Sequence, residues 1–323
     1  MKKINILGVG AALVDQQFSV EDSLLKDLQL NKGSMDLKDQ ETQDQTYKKL
    51  THLYGSSKDA CGGSSTNTVY AASILGSKCS FIGKVADDVN GNFYVDNLNK
   101  AKIKNKCMSS DQGVSGNCLV MVSPDAERTM STFLGISSEL KISDLDEDMI
   151  KEAETVYLEA YLVSSDQCFK TTKRIIEIAQ KNNTKIAISL SDSFIVSSFK
   201  DRLLEWMENE IDYLFCNEEE AKAFSNSETI ENAEMELKKF SKTSFITLGK
   251  DGAIVVSENN KDKIDGFLAD AIDTNGAGDM FAGAVLYKLS KGYENKISAS
   301  FGCFLASKGV ENFGPRLQDE DYI

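Results

Sequence analysis

Apolar residues fall along this chain in short continuous runs that alternate with stripes of helical period. Ile4-Asn5-Ile6-Leu7-Gly8 reads as a buried strand, and residues 64–75 read as a helix ended by Gly76. The same pattern predicts strands at 79–85, 156–159, 185–190, 213–215, 245–248 and 253–256. It predicts helices at 89–100, 166–182, near 198–209, from about Glu218, near 277–290 and near 294–308. Strands that alternate with helices imply an α/β fold, a mostly parallel sheet with helices on both faces in three layers.

Two regions break this rhythm. Residues 12–55 are polar, with a Lys/Asp/Gln-rich centre and little helical period. Residues 114–135 alternate as two short strands around Ser123-Pro124-Asp125-Ala126-Glu127, a hairpin by its turn chemistry. The expectation is that 12–55 and 114–135 combine into one small sheet acting as a lid. The main domain would then comprise 1–11, 56–113 and 136–323.

Composition narrows the function. The 323 residues carry a net charge of −14, which argues against a nucleic-acid surface and against an anionic membrane as partner. No apolar run approaches the length of a membrane span. Met1-Lys2-Lys3 before an apolar stretch imitates a secretory leader, but the stretch is short, broken by Asn5 and glycines, and ends at Asp15. His52 is the single histidine, which removes His-triad chemistry and poly-His metal sites. Seven scattered cysteines without a C-x-x-C pair exclude zinc and thioredoxin-like readings and suggest free thiols in a reducing cytoplasm.

The segment Asp273-Thr274-Asn275-Gly276-Ala277-Gly278-Asp279 runs straight into an apolar helix. Small residues at a helix start let N–H groups approach an anion. A carboxylate beside a phosphate cradle repels the ligand, and makes sense if Asp279 takes a proton from the hydroxyl that attacks the phosphate. Taken alone, it is equally a Gly-rich turn with a first-turn dipole partner. Gly62-Gly63-Ser64-Ser65-Thr66-Asn67-Thr68 precedes another helix; Asn67 both donates and accepts, as sugar hydroxyls require, although the segment also fits a simple cap. Asp15 follows the first strand, where a carboxylate can hold two adjacent hydroxyls, or is an ordinary surface residue. Asn217 and Glu220 share a helix face and could organise Mg²⁺ through water, or simply form an acidic helix N-terminus. Thr247, Gly249 and Gly252 frame a turn against which a nucleotide could lie, or a plain hairpin. Arg128, in the hairpin, could swing over a transferring phosphoryl group or make a solvent salt bridge. No G-x-x-x-x-G-K-[ST] occurs, and Gly8-Val9-Gly10 lacks the third glycine of a dinucleotide fingerprint, which disfavours an oxidoreductase.

Together these segments resemble the ribokinase (PfkB) family of carbohydrate and nucleoside kinases. Asp273 to Asp279 matches its C-terminal signature, and Gly62 to Thr68 its N-terminal one. Further segments resemble the adenosine kinase branch: Gly8 to Asp15, Lys32 to Met35, Asp125 to Met130 with Leu134-Gly135, Leu158 to Leu162, Leu190 to Phe194, and Phe215 to Glu218. The resemblance implies a ribokinase-like fold and transfer of the ATP γ-phosphate to a primary ribose hydroxyl, with Mg²⁺ required. Asp279 would be the base, the N–H groups of Gly276, Ala277 and Gly278 the anion hole, and Arg128 a phosphate contact. Asp15, Gly62, Gly63 and Asn67 would hold the sugar; Asn217 and Glu220 would organise Mg²⁺ and phosphate. Thr247, Gly249, Gly252 and Thr274 would line the ATP site, and a monovalent cation such as K⁺ is common in the family near Asp273 and Gly314. Met35, Phe133, Tyr161 and Phe194 are candidates for an apolar slot holding a purine, where a free sugar would want polar groups. The small-molecule partner is therefore read as a purine nucleoside, adenosine first, with a free sugar as the alternative. A non-catalytic binding protein on the same fold is a remote one. The long 20–58 insert favours a monomer over a dimer paired through its lid.

Overall fold

The computed structural model describes residues 2–109, 112–125, 127–312 and 314–317; Ala126 of the expected turn lies outside them. Fourteen strands run among the described residues: β1 (Ile4–Val9), β2 (Leu13–Ser19), β3 (Met35–Leu37), β4 (Lys58–Cys61), β5 (Cys79–Val85), β6 (Lys104–Met108), β7 (Ser115–Val122), β8 (Arg128–Gly135), β9 (Ala153–Glu159), β10 (Lys185–Ser189), β11 (Ile211–Asn217), β12 (Ser241–Thr247), β13 (Ala253–Ser257) and β14 (Lys261–Ile264). Twelve helices join them: α1 (Asp22–Asp27), α2 (Gln40–Tyr54), α3 (Ser64–Ile74), α4 (Val89–Lys100), α5 (Glu147–Glu152), α6 (Asp166–Lys181), α7 (Ser193–Ser198), α8 (Lys200–Trp206), α9 (Glu218–Ser225), α10 (Ile230–Leu237), α11 (Ala277–Ser290) and α12 (Asn295–Gly309).

Nine strands form the main sheet in the order β14-β13-β12-β11-β10-β9-β1-β5-β6. All its pairs are parallel except β12–β13 and β13–β14. Successive side chains on a strand point to opposite faces, and both faces here are apolar. Val156, Leu158, Ile186, Ile188 and Leu214 pack on α5 to α10 through Met149, Ile176, Trp206, Phe224 and Leu237. Tyr157, Ala187, Phe215 and Phe245 turn the other way, onto α3, α4, α11 and α12 through Val69, Leu98, Phe281 and Ala299. Two buried faces explain why these strands read as continuous apolar runs.

The second sheet has five strands in the order β3-β8-β7-β2-β4. The expected hairpin is present as antiparallel β7 and β8. β4 joins this sheet from beyond residue 55, so the sheet draws on a stretch that the sequence pattern assigns to the main domain. Leu13, Asp15, Cys118, Met130, Thr132 and Leu134 face inward, lining a cavity. Phe18, Leu119 and Met121 face outward onto Leu24 and Leu25 of α1 and Leu50 of α2.

α2 corrects the reading of 12–55 as lacking a helical period. Its buried positions, Gln43, Thr46 and Leu50, do recur at helical spacing, but two of the three are polar. The helix is docked by hydrogen bonds: Gln43 Nε2 donates to Asn117 Oδ1 (2.8 Å) and to the Ser131 carbonyl (2.9 Å). Ser131 Oγ donates back to Gln43 Oε1 (2.8 Å). Short elements at 104–108, 230–237 and 261–264 were also invisible to the pattern.

Candidate active site

From β1 the chain goes to β5 and β6 on one side, while β9 to β12 follow on the other. Ligands of open α/β sheets bind at such a reversal, beyond the carboxyl ends of the strands. A cavity of about 360 Å³ lies there, roofed by the small sheet. The predicted residues Asp15, Met35, Gly63, Asn67, Tyr161, Asn217, Glu220, Gly276, Gly278 and Asp279 all line it.

Asp279 sits in the first turn of α11, whose cap is Gly276. Gly276 has φ of +72°, and a Cβ there would lie 2.4 Å from the Pro315 carbonyl, so only glycine fits. Ser64 Oγ donates to Asp279 Oδ1 (2.6 Å) and Asn67 Nδ2 donates to Oδ2 (3.1 Å). Burial pushes the Asp279 carboxyl up to about 6, against the pull of Ser64, Asn67 and Arg316. That suits a group that must take up a proton near neutrality. The Ala277 N–H is turned to the Thr274 carbonyl at 3.3 Å, which makes it a weak member of an anion hole in this conformation.

Gly63 is the cap of α3, with φ of +92° and the Ala11 carbonyl 2.4 Å from where a Cβ would stand. The hydrogen bonds of Ser64 and Asn67 to Asp279 bring the N-termini of α3 and α11 together. Asp15 rests against Gly62, where a Cβ would clash with its carboxylate at 2.1 Å. Burial lifts Asp15 to about 7, opposed by Arg316 and Arg128. Glu159, at the end of β9, is buried and accepts from the N–H groups of Ala11 (2.7 Å) and Ser65 (2.6 Å). It pins the chain after β1 to the start of α3 across the strand reversal.

Asn217 caps α9 and forms a reciprocal box with Glu220: Asn217 Oδ1 accepts from Glu220 N (2.8 Å), and Glu220 accepts from Asn217 N (3.0 Å). Both the capping reading and the cavity-facing reading of this pair therefore hold at once. Burial raises Glu220 to about 7. No cluster of three His, Cys, Asp or Glu that could cage a metal occurs among the described residues. Mg²⁺ needs no such cage, because it keeps its waters and binds one carboxylate plus phosphates. Thr247 lies beside Asn217 in register, and Gly249 and Gly252 form the turn from β12 to β13. These three, with the exposed Thr274, stand outside the cavity lining.

Two of the apolar candidates do not face the cavity. Phe133 alternates to the outer face of β8, and its neighbours Thr132 and Leu134 face in. Phe194 is 66% exposed at the start of α7, and Ile195 lines the cavity instead. Arg128 pairs with Asp273, whose carboxylate also accepts from Gly314 N (2.7 Å) and Asn275 N (3.0 Å). This pair joins the small sheet to the loop before α11, and Arg128 is held there rather than over Asp279. The Asp273 side chain thus meets three donors.

Sequence reasoning singled out neither Ser64, Glu159 nor Arg316. Ser64 was inside a flagged segment. Glu159 carried a signal as a charge ending a buried apolar strand, and Arg316 as one of only four arginines in a lysine-rich chain. All seven cysteines are free and buried. No helix among the described residues is long and apolar enough to cross a membrane.

Comparison with known proteins agrees with this geometry. Residues 33–321 match the family described as pfkB family carbohydrate kinase. The chain is similar to adenosine kinase of Saccharomyces cerevisiae, 27% identical over 282 residues and 81% of each chain. It is also similar to probable fructokinase-5 of Arabidopsis thaliana, 27% identical over 246 residues, 72% of this chain and 74% of that one. Among solved structures, adenosine kinase from Sinorhizobium meliloti superimposes with a TM-score of 0.91 at 28% identity, covering 98% of this chain and 96% of that one. A probable sugar kinase from Rhizobium etli CFN 42 does so with a TM-score of 0.92 at 27% identity and the same coverage. The chain belongs to the pfkB family of carbohydrate kinases, ATP-dependent phosphotransferases with an alcohol acceptor, near its adenosine kinase branch.

Proposed function

We propose that this kinase transfers the γ-phosphate of ATP to the 5′-hydroxyl of a purine nucleoside, adenosine first, giving AMP and ADP. The observation that supports the reading is the make-up of the cavity lining. Asp15, Asn67 and Asp279 are taken as a polar end suited to a ribose, while Met35 and Leu37 on β3 and Met130 and Leu134 on β8, two or more strands from Asp15, are taken as an apolar end suited to a flat base. A free sugar would leave that apolar end facing water.

In the proposed reaction the 5′-oxygen, held by Asp15 and Asn67 through the ribose, attacks the γ-phosphorus in line. Its proton passes to Asp279 as the bond to the β-phosphate oxygen breaks and ADP leaves. The N-terminus of α11, with the N–H groups of Gly276 and Gly278, faces the charge on the phosphoryl oxygens. Glu220 and Asn217 would hold Mg²⁺ through its waters, and the ion when bound draws charge off the phosphates. Thr247, Gly249, Gly252 and Thr274 would flank the nucleotide. Arg128 would reach the phosphate by leaving Asp273 when the small sheet moves as a lid. The outer face of that sheet is covered by α1 and α2, which supports a monomer.

Purified protein with MgATP is tested on adenosine, inosine, guanosine, 5′-deoxyadenosine, ribose and fructose. The expected result is turnover of adenosine with none of 5′-deoxyadenosine, which lacks the acceptor. Turnover of a free sugar alone would overturn the nucleoside reading and leave the kinase chemistry standing.

A further inference from the structure

We propose that Arg316 is a positioning residue for the phosphoryl transfer, fixing the Asn67 amide so that its NH₂ donates to Asp279. The inference rests on the reading of Asp279 as the base. Arg316 Nε donates to Asn67 Oδ1 at 2.9 Å. A guanidinium carries donors only, so the atom facing it is the amide oxygen, and the NH₂ must point the other way, onto Asp279 Oδ2. An ionised Asp279 would select that orientation unaided. Once it has taken the proton, however, its O–H could equally donate to the amide oxygen. Arg316 removes that alternative, so Asn67 keeps one orientation through the reaction.

Arg316 is itself held. Nη1 donates to Asn97 Oδ1 on α4 at 2.7 Å, and the guanidinium lies 4.2 Å from the centre of the Tyr70 ring on α3. Its Nη2 is buried and has no hydrogen-bond partner among the described residues. The charged and titratable groups around Asp279 are Asp15 on β2, Tyr157 and Glu159 on β9, Tyr161 after it, and Glu220 on α9. All are acidic or phenolic; Arg316 is the cation that acts on Asp279, and it also acts, with Arg128, on Asp15.

The test compares wild type with Arg316→Met, Arg316→Lys, Asn97→Leu and Asp279→Asn, using adenosine phosphorylation from pH 5 to 9, MgADP binding and thermal melting. Arg316→Met is expected to lose about tenfold in kcat, the worth of a hydrogen bond to a charged network, with MgADP binding retained. Its acid limb should move to higher pH, because Asp279 loses a cation that holds its carboxyl down. Added methylguanidinium should restore part of the rate. Arg316→Lys should restore the limb but not kcat, since it supplies charge without the fork. If Arg316→Met does not fold, Asn97→Leu carries the test: it loosens the guanidinium but keeps its charge, so kcat falls less and the limb stays. A folded Arg316→Met with wild-type kcat and limb would overturn the inference, as would a fully active Arg316→Lys. Normal turnover by Asp279→Asn would instead overturn the base assignment.

Discussion

The two sheets are built on different physics. The nine-stranded sheet is buried on both faces over its central strands, whose alternate residues enter two separate apolar cores. The five-stranded sheet has one apolar face, under α1 and α2, and turns its other face to the cavity. Its largest helix is docked through Gln43, Asn117 and Ser131, and Arg128–Asp273 ties it to the main body. The first arrangement is rigid because shedding it exposes many apolar side chains. The second, in the proposed lid role, would shift by exchanging polar contacts such as Arg128–Asp273. The proposed reaction calls for that combination: a fixed base and anion-binding helix below, and above them a roof that admits and encloses the acceptor.

The comparison can be tested from both sides of the cavity. Asp15 belongs to the roof yet is proposed to hold the ribose. Asp15→Asn should cost roughly 10–100-fold in kcat/KM for the acceptor, the worth of charge-assisted hydrogen bonds, with little change for ATP. Steady-state kinetics with each substrate varied in turn checks this. The two faces of β8 should then separate. Met130→Ser, on the inner face, should raise KM for adenosine about tenfold. Phe133→Ser, on the outer face, should leave KM where it is.

Those two positions also mark what could be read from the sequence. The alternation of 114–135 predicts a hairpin, but it does not say which alternate set faces the ligand, so Phe133 is a candidate by position that the pleat turns outward. The main sheet was legible because its strands are apolar runs between helical stripes, and Asp279, Asn67 and Asp15 were legible because they sit in short segments rich in small residues. α2 was not, since a helix fastened by Gln43 and Thr46 leaves no apolar stripe. Glu159 and Arg316 were missed because their partners lie 94 to 249 residues away in the chain, and only the fold brings them to the site.

Smaller effects sharpen the contrast. Gln43→Ala removes a buried amide and strands the Ser131 hydroxyl and carbonyl, so it should destabilise the protein by ~1–3 kcal/mol in denaturant melts. The smallest effect comes from pH. Burial raises Asp15, Glu159 and Glu220 to about 7 and Asp279 to about 6, above the values near 4 expected of an unfolded chain. Folding therefore takes up protons, and the associated stability is complete below about pH 4 and lost progressively as pH rises from there through the folded values of about 6 and 7. The ligand-free protein should melt a few degrees higher at pH 5 than at pH 8, by calorimetry.

The central claim is that one carboxylate at the seam of the two sheets accepts the proton of the attacking hydroxyl. Asp279→Asn keeps the size of that side chain and removes its basicity. Measured beside wild type with saturating MgATP and adenosine, it should lose at least ~10²-fold in kcat while binding MgADP as before. Near-normal turnover in the folded variant would contradict the account.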